Sequence, residues 1–377
     1  MLHEQRWPVT DRFVHDAAMP RVVFGPGSID SVAEEVESLG GERVLLISTR
    51  SATTAADRIS AALDARVVGQ IDEVAMHVPA ELAARVTEDA IRQKTDLAVC
   101  LGGGSALGLG KAIALESGLS LLAIPTTYAG SEMTSIWGKT LDGEKATGRD
   151  PKVLPKTVVY DPELTIGYPA NQSAASGMNA AAHCVEALYS SSATPVTNLL
   201  AQQGLKLLAQ TLPEIVENPA ELTARSKALQ AAWFSGWVLG ATQMGLHHKL
   251  CHVLGGSYNL PHSGVHSALL PYVTSWMTPH APVAMESIGM SLGAAPAGSA
   301  IWALTDRIGA PTSLAAVGFD VAHIDDVTEQ MVADSASSHA PGGQAPVTKD
   351  AIRRILLASC DGSLSAAESL SVQPSTD

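Results

Sequence analysis

The chain has 377 residues, of which 46% are apolar and 16% charged, a composition typical of a globular protein of about two domains. A formal charge of −14 argues against a nucleic-acid surface or a basic membrane-binding face. The N-terminal sequence lacks the apolar core of a secretory signal and no segment approaches the about 18 apolar residues of a membrane span, so we expect a cytoplasmic protein with reduced cysteines.

Apolar runs alternate with segments of helical period over the first 165 residues. Continuous apolar strands separated by helices are typical of a parallel sheet that is covered on both faces. The strands are predicted at residues 43–48, 67–71, 96–101, 119–125 and 157–160, and helices at 57–63 and 82–93.

Long stretches rich in alanine and leucine follow Pro162, with few β-branched runs, and these predict helices. We therefore predict an α/β nucleotide-binding domain with a Rossmann-like parallel sheet over residues 1–165 and an all-α domain over 166–377. We expect the last residues, 371–377, to fray. The helices are predicted at residues 174–190, 196–212, 220–242 and 265–277.

A glycine-rich turn, Leu101-Gly-Gly-Gly-Ser105, follows a predicted strand and precedes a helical segment. Such a turn lets an anion approach the backbone N–H groups at the start of the helix, which suits a pyrophosphate. The spacing fits neither a P-loop nor the GxGxxG fingerprint, and a plain tight turn is the alternative. The next strand ends in Pro125-Thr-Thr-Tyr-Ala-Gly-Ser131, whose hydroxyls suit either ligand contact or an N-capping turn.

Five of the twelve histidines lie between His247 and His266. His248 and His252 are four residues apart and share a helical face, as Asn179 and His183 do on an earlier helix. Such a cluster indicates either a metal site or a proton-donating pocket. The amide of Asn179 is a poor metal ligand, so the sequence offers imidazoles without the anionic partner that a metal site usually has.

These residues resemble the iron-dependent (group III) alcohol dehydrogenases, whose fold is shared with dehydroquinate synthase. The similarity starts at Val23-Phe-Gly-Pro-Gly27 and includes both strand-end turns, SGMNAAAHCVEALY (176–189) and GLHHKLCHVLGGSYNLPH (245–262). The resemblance implies a nucleotide-binding α/β domain, a helical domain, an active site between them, NADH or NADPH as cofactor, and a homodimer.

Two positions depart from the metal-dependent members of this family. His183, His248 and His262 match their metal-binding histidines, but Asn179 replaces the metal-binding Asp and Gly108 stands where Asp is common. Both departures resemble the maleylacetate reductase branch. That branch implies metal-independent reduction of the C=C bond of 2-maleylacetate, a small dicarboxylate, to 3-oxoadipate during the breakdown of aromatic compounds.

The site residues follow from the motifs and the resemblance together. We expect Asn179 and four histidines to act at the reacting end, and no residue to hold a metal. A run with five basic residues between Lys139 and Lys156 suggests cations for substrate carboxylates, with a solvated hairpin or loop as the alternative. The predicted residues are His183, His248, His252 and His262 for catalysis; Thr49, Gly103, Gly104, Ser105, Thr126, Thr127, Ser131 and Lys145 for the cofactor; and Tyr128, Arg149 and His266 for the substrate.

Other functions remain open from the sequence. The same fold supports metal-dependent alcohol dehydrogenases and lyases of the dehydroquinate synthase type, and a non-enzymatic binding module is the least favoured alternative. Thr49 and Arg50 occupy the turn where many NAD-specific relatives carry an Asp that repels a 2′-phosphate, so we expect either NADH or NADPH to work.

Overall fold

The computed structural model describes residues 12–75, 78–141, 144–334 and 347–372. Its first part is built on β-strands and its second part on helices, as the sequence predicts. The strands are β1 (Arg21–Phe24), β2 (Val44–Ser48), β3 (Val67–Ile71), β4 (Leu97–Gly102), β5 (Ser120–Pro125), β6 (Ile136–Leu141), β7 (Glu144–Arg149) and β8 (Thr157–Tyr160).

Six strands form a parallel sheet in the order β1-β8-β5-β4-β2-β3, and β6 pairs with β7 as an antiparallel hairpin. Every residue of β2 and β4 is buried, because alternate side chains enter two separate cores: Leu45 and Ile47 face one, Val44 and Leu46 the other. The predicted sheet covered on both faces is therefore confirmed. Its helices are α1 (Val32–Ser38), α2 (Thr53–Leu63), α3 (Ala80–Arg92) and α4 (Gly104–Ser117).

Ten helices follow the sheet in the described chain, and the predicted helical character of the second half is confirmed. No helix among the described residues combines the length and the hydropathy needed to span a bilayer. The helices are α5 (Ala170–Tyr189), α6 (Pro195–Glu217), α7 (Leu222–Ala241), α8 (Leu246–Ser257), α9 (His262–Met277), α10 (Pro282–Leu292), α11 (Ala297–Arg307), α12 (Ile324–Asp334), α13 (Lys349–Asp361) and α14 (Leu364–Ser369).

Some boundaries differ from the prediction. Helix α8 runs through Gly255 and Gly256, where the sequence suggests a break, and α9 begins three residues earlier than predicted, at His262. Gly255 is buried, so packing along α8 outweighs the weak helix propensity of the glycines. The boundary between domains near residue 165 stays a prediction, and residues 373–377 of the predicted frayed end lie outside the described residues.

Helix α7 connects the two parts of the chain. Ala228 and Leu229 pack in a core of the sheet, whereas Ala231 and Val238 pack in the core of the helices. Near its C-terminal end, the Cα of Gly236 lies 2.9 Å from the position that a Cβ on Gly130 would occupy, in the loop after β5. The backbone of α7 is therefore in direct contact with the backbone of the loop after β5, and only glycine permits such a close approach.

A second connection is the fully buried guanidinium of Arg225 on α7. It donates to the hydroxyl of Tyr128 at 3.1 Å, to Oγ of Ser173 at 2.7 Å and to the carbonyls of Tyr168 at 2.8 Å and Pro219 at 2.9 Å. These oxygens belong to the loop after β5, to the start of α5 and to the segments before α5 and α7. One side chain thus ties together the walls that flank the site described next.

Candidate active site

A cleft of about 1510 Å³ runs from the carboxyl ends of the parallel strands to helices α5, α8 and α9. Pockets for a single drug-sized ligand are about 300–1,000 Å³, so this cleft has room for a dinucleotide and a small substrate together. In open α/β sheets ligands bind at the carboxyl ends of the strands, which agrees with this location.

The sheet side of the cleft is formed where three neighbouring strands end. β2 leads to Thr49, β4 to Gly103 and β5 to Thr126, and all three residues line the cleft. Gly102 has a φ of 144°, and a Cβ there would lie 2.7 Å from Cγ2 of Thr49. The turn thus needs glycine to bring the start of α4 to the cleft, where free N–H groups suit a phosphate.

The predicted cofactor residues converge on this cleft, apart from Lys145, whose side chain lies outside the described residues. The hairpin β6–β7 adds Trp137 and Thr147 to the same wall. A dinucleotide therefore fits the residues that are present. The predicted residues that line the cleft are Thr49, Gly103, Gly104, Ser105, Thr126, Thr127 and Ser131.

Lys111 is a buried cation on α4 that also lines the cleft. Its Nζ donates to the backbone carbonyls of Ser131, Thr134 and Ile136 at 2.7 to 2.8 Å. Burial lowers the pKa of Lys111 to about 7, while the nearby Glu132 carboxyl acts in the opposite direction. Lys111 therefore fixes the loop between β5 and β6 rather than offering a free charge to a ligand.

Histidines form the helical side of the cleft. His183 on α5 stacks on His248 on α8 with ring centroids 5.1 Å apart, and His252 stacks on His262 at 6.4 Å. All four line the cleft, as Asn179 does one turn before His183. The structure thus brings together the five residues predicted to act at the reacting end.

Burial decides the charge of the inner imidazoles. Burial, followed by the neighbouring His248 and His262, holds the pKa of His183 well below 6.5. Burial also lowers the pKa of His247 to about 3, against the opposing effect of Glu186. These rings are therefore neutral at pH 7, and an exposed ring such as His252 is better placed to exchange protons with solvent.

A divalent metal does not fit the donors at the family positions. Asn179 Oδ1 and His248 Nε2 are buried without a partner among the described residues, but an amide and three imidazoles carry no negative charge. Among the described residues, the one group of three or more histidine, cysteine and acidic side chains whose ligand atoms all lie within 4.8 Å of one another is His247, Cys251 and His266. Nε2 of His247 already lies 2.9 Å from Nδ1 of His266, at hydrogen-bond distance.

Two predicted substrate contacts, Tyr128 and His266, do not reach the cleft. Both side chains are fully buried. Tyr128 accepts the hydrogen bond from Arg225, and Nδ1 of His266 lies at hydrogen-bond distance from Nε2 of His247. Arg149 does line the cleft, yet its guanidinium donates to the carbonyls of Leu239, Gly240 and Thr242 at the end of α7.

The predicted basic run is divided between the β6–β7 hairpin and the segment that leads to β8. Lys139 pairs with Glu116 at 3.0 Å, and Lys152 and Lys156 are exposed away from the cleft lining. Only Arg149 of the described side chains in this run brings positive charge to the cleft. The structure thus favours the alternative interpretation for Lys152 and Lys156.

Comparison with known proteins agrees with this architecture. The family models "Iron-containing alcohol dehydrogenase" and "Fe-containing alcohol dehydrogenase family, C-terminal" match residues 20–162 and 173–360. The maleylacetate reductase of Burkholderia cepacia is 46% identical over 350 residues, covering 93% of this chain and 98% of the relative. The chain belongs to the iron-containing alcohol dehydrogenase family. It is accordingly an oxidoreductase, and the predicted resemblance is confirmed.

Solved structures of the family share the fold. The maleylacetate reductase of Agrobacterium tumefaciens is 41% identical and superposes with a TM-score of 0.88, covering 93% of this chain and 99% of that one. An alcohol dehydrogenase of Ralstonia eutropha JMP134 is 43% identical with a TM-score of 0.90, covering 94% and 99%. The predicted family fold is therefore confirmed.

Three buried charged residues of the site were missed by the sequence reasoning. Lys111 is a single cation in an apolar helix, which is a usable signal for a buried functional or structural group. Glu186 lies three residues after His183 on the same helix and therefore on a nearby face. For Arg225 the sequence carries no signal, because its partners are carbonyl and hydroxyl oxygens from segments distant in the chain.

Proposed function

We propose that this chain reduces the carbon–carbon double bond of 2-maleylacetate to 3-oxoadipate, using NADH or NADPH and no metal ion. One observation carries the proposal: a cluster of imidazoles faces a dinucleotide-sized cleft at the position where Asn179 leaves the family metal site without its acid. The similarity to maleylacetate reductases over 93% of the chain supports the choice of substrate.

The chemistry requires donors for a developing negative charge. In maleylacetate an alkene is conjugated to a ketone, between two carboxylates. When bound, a reduced nicotinamide supplies the hydride that adds to the alkene carbon β to the ketone. Charge then develops on the ketone oxygen, and imidazole N–H groups within hydrogen-bond reach stabilise the enolate before the α carbon takes a proton.

The histidines divide these tasks by exposure. His183 and His248 are buried and stacked, so they suit fixed positions beside the oxyanion. His252 is exposed to the cleft and can be reprotonated from solvent after each turnover, which suits a general acid. Arg149 places positive charge on the wall of the same cleft for a substrate carboxylate.

Metal independence is proposed from the chemistry of the donors. Relatives that hold iron or zinc combine imidazoles with an anionic ligand, and the neutral amide of Asn179 supplies none. A buried carboxylate, that of Glu186, does lie beside the imidazoles, but its Oε2 already has Nδ1 of His248 as a hydrogen-bond partner at 2.5 Å.

The test is a spectrophotometric assay that follows loss of NADH or NADPH with freshly generated maleylacetate. The same preparation is analysed for iron and zinc and assayed again after treatment with a strong chelator. We expect turnover that survives chelation and metal well below one ion per chain. Stoichiometric metal with activity lost on chelation would instead identify a metal-dependent alcohol dehydrogenase.

A further inference from the structure

The carboxylate of Glu186 lies beneath the histidine cluster, at the start of helix α8. Glu186 is 1% exposed, and its oxygens accept the backbone N–H groups of Gly245 at 2.9 Å and His247 at 2.8 Å. The hydroxyl of Tyr189 donates to the same group at 3.2 Å. Glu186 thus caps the helix that presents His248 and His252 to the cleft.

The strongest contact of this carboxylate is with an imidazole of the site. Oε2 of Glu186 lies 2.5 Å from Nδ1 of His248. The backbone N–H groups of Gly245 and His247 and the hydroxyl of Tyr189 all donate to the same carboxylate, and such donors favour its ionised form. Glu186 is therefore ionised near neutral pH, and an ionised carboxylate can only accept hydrogen bonds.

This arrangement determines where His248 carries its protons. Because Glu186 accepts from Nδ1, that nitrogen bears a proton whether the ring is neutral or protonated. Nε2 of His248 has no partner among the described residues, and the ring lines the cleft. Any proton that this ring gains, loses or shares is therefore on Nε2.

We propose that Glu186 is a positioning residue that fixes the tautomer and orientation of His248, so that the ring, when it carries a proton on both nitrogens, donates from Nε2 to the reacting oxygen of the substrate. The role in turnover rests on the proposed function, whereas the tautomer does not. A carboxylate behind an imidazole fixes the tautomer and the orientation of the ring in this way.

The first experiment needs no substrate. In ¹⁵N-labelled protein, two-dimensional NMR of the histidine side chains reports which ring nitrogen of His248 is protonated, with assignment from a His248→Gln variant. We expect a protonated Nδ1 in the wild type and a mixture of tautomers in Glu186→Gln, because an amide can accept or donate. A proton on Nε2 alone in the wild-type ring would overturn the proposal.

The second experiment measures turnover. We expect Glu186→Gln to lower kcat by about 10–100-fold with the KM for NADH changed by less than about twofold. Tyr189→Phe is the matched control, since it removes one hydrogen bond to Glu186 but leaves the contact with His248 intact. We expect its kcat to stay near the wild-type value.

A folded Glu186→Gln variant with unchanged kcat would contradict the positioning role. A wild-type protein that is inactive on maleylacetate would instead refute the proposed function, and the NMR result on the tautomer of His248 would still hold.

Discussion

The backbone contact between Gly236 on α7 and Gly130 after β5 gives the sharpest test of how the site is held. In Gly236→Ala the new Cβ would lie 2.4 Å from the carbonyl oxygen of Gly130 and 2.9 Å from its Cα. Ordinary C···O contacts are about 3.3–3.6 Å, so helix and loop must separate by about 1 Å. The atoms that collide belong to the backbone, so no side-chain rotation relieves them.

This displacement has a structural and a catalytic consequence. Overpacking of this kind costs about 1–3 kcal/mol in the free energy of unfolding. The loop carries Thr127 and Ser131 of the cleft, and Nδ1 of His183 lies 3.4 Å from the position of a Cβ on Gly130. A misplacement of about 1 Å between cofactor and imidazoles reduces kcat/KM by about 10²-fold.

The assay combines urea unfolding with the rate of NADH or NADPH oxidation by maleylacetate. Gly255→Ala is the matched control, because it is also a helical glycine and its Cβ would lie 3.9 Å from the nearest atom, the carbonyl oxygen of Leu260. We expect the control to keep its activity and to gain up to about 1 kcal/mol. If Gly236→Ala matches this control in both measurements, the reasoning from the backbone contact is wrong.

Three further predictions follow from the site and its supports. His252→Ala should lower kcat by about 10²–10⁴-fold while the Kd for NADH stays within about twofold, because His252 acts at the reacting end. The control is His323→Ala, which removes an exposed ring outside the cleft. Equal losses in kcat and in NADH affinity would contradict this role for His252. Arg225→Met should lower the free energy of unfolding by about 3–5 kcal/mol, because it leaves buried oxygens without donors. The control Arg353→Met breaks an exposed ion pair with Asp325 and should change this free energy by less than about 1 kcal/mol. Similar urea midpoints for the two variants would contradict the prediction. The free energy of unfolding should fall as the pH drops below 6.5. Burial lowers the pKa values of His183, His247 and His266, so these rings bind protons in the unfolded chain but not in the folded one, and each contributes roughly 1 kcal/mol per pH unit. Urea midpoints that stay constant between pH 7.5 and 5 would exclude this effect.

The parallel sheet was predictable because β2, β4 and β5 are buried on both faces and therefore have nearly continuous apolar sequences. Strand β1 was not predicted: its four residues lie at the edge of the sheet and none is fully buried, so its sequence lacks that signal. The sequence predicts the hairpin β6–β7 only as the alternative to a substrate site, because its strands carry Lys139 and Arg149. Such charges are equally typical of a solvated surface and of a site for an anion.

The candidate site was predictable as far as local spacing reaches. His248 and His252 share a helical face in the sequence and in the structure. His266 was expected at the substrate because it belongs to the histidine cluster and resembles the maleylacetate reductase branch. In the structure it lies on a face of α9 that packs in the interior, so its ring is buried. The contact of Glu186 with the start of α8 joins residues about sixty positions apart, which no local pattern encodes.

The buried guanidinium of Arg225 has a consequence for how the chain comes apart. Its hydrogen bonds reach the strand-end loop through Tyr128 and the helical part through Ser173 and the carbonyl of Tyr168. If either part unfolds, the guanidinium of Arg225 loses partners, and its remaining hydrogen-bond partners in the other part become exposed. We therefore expect the sheet and the helices to melt in one cooperative transition, so that calorimetry records a single peak rather than two.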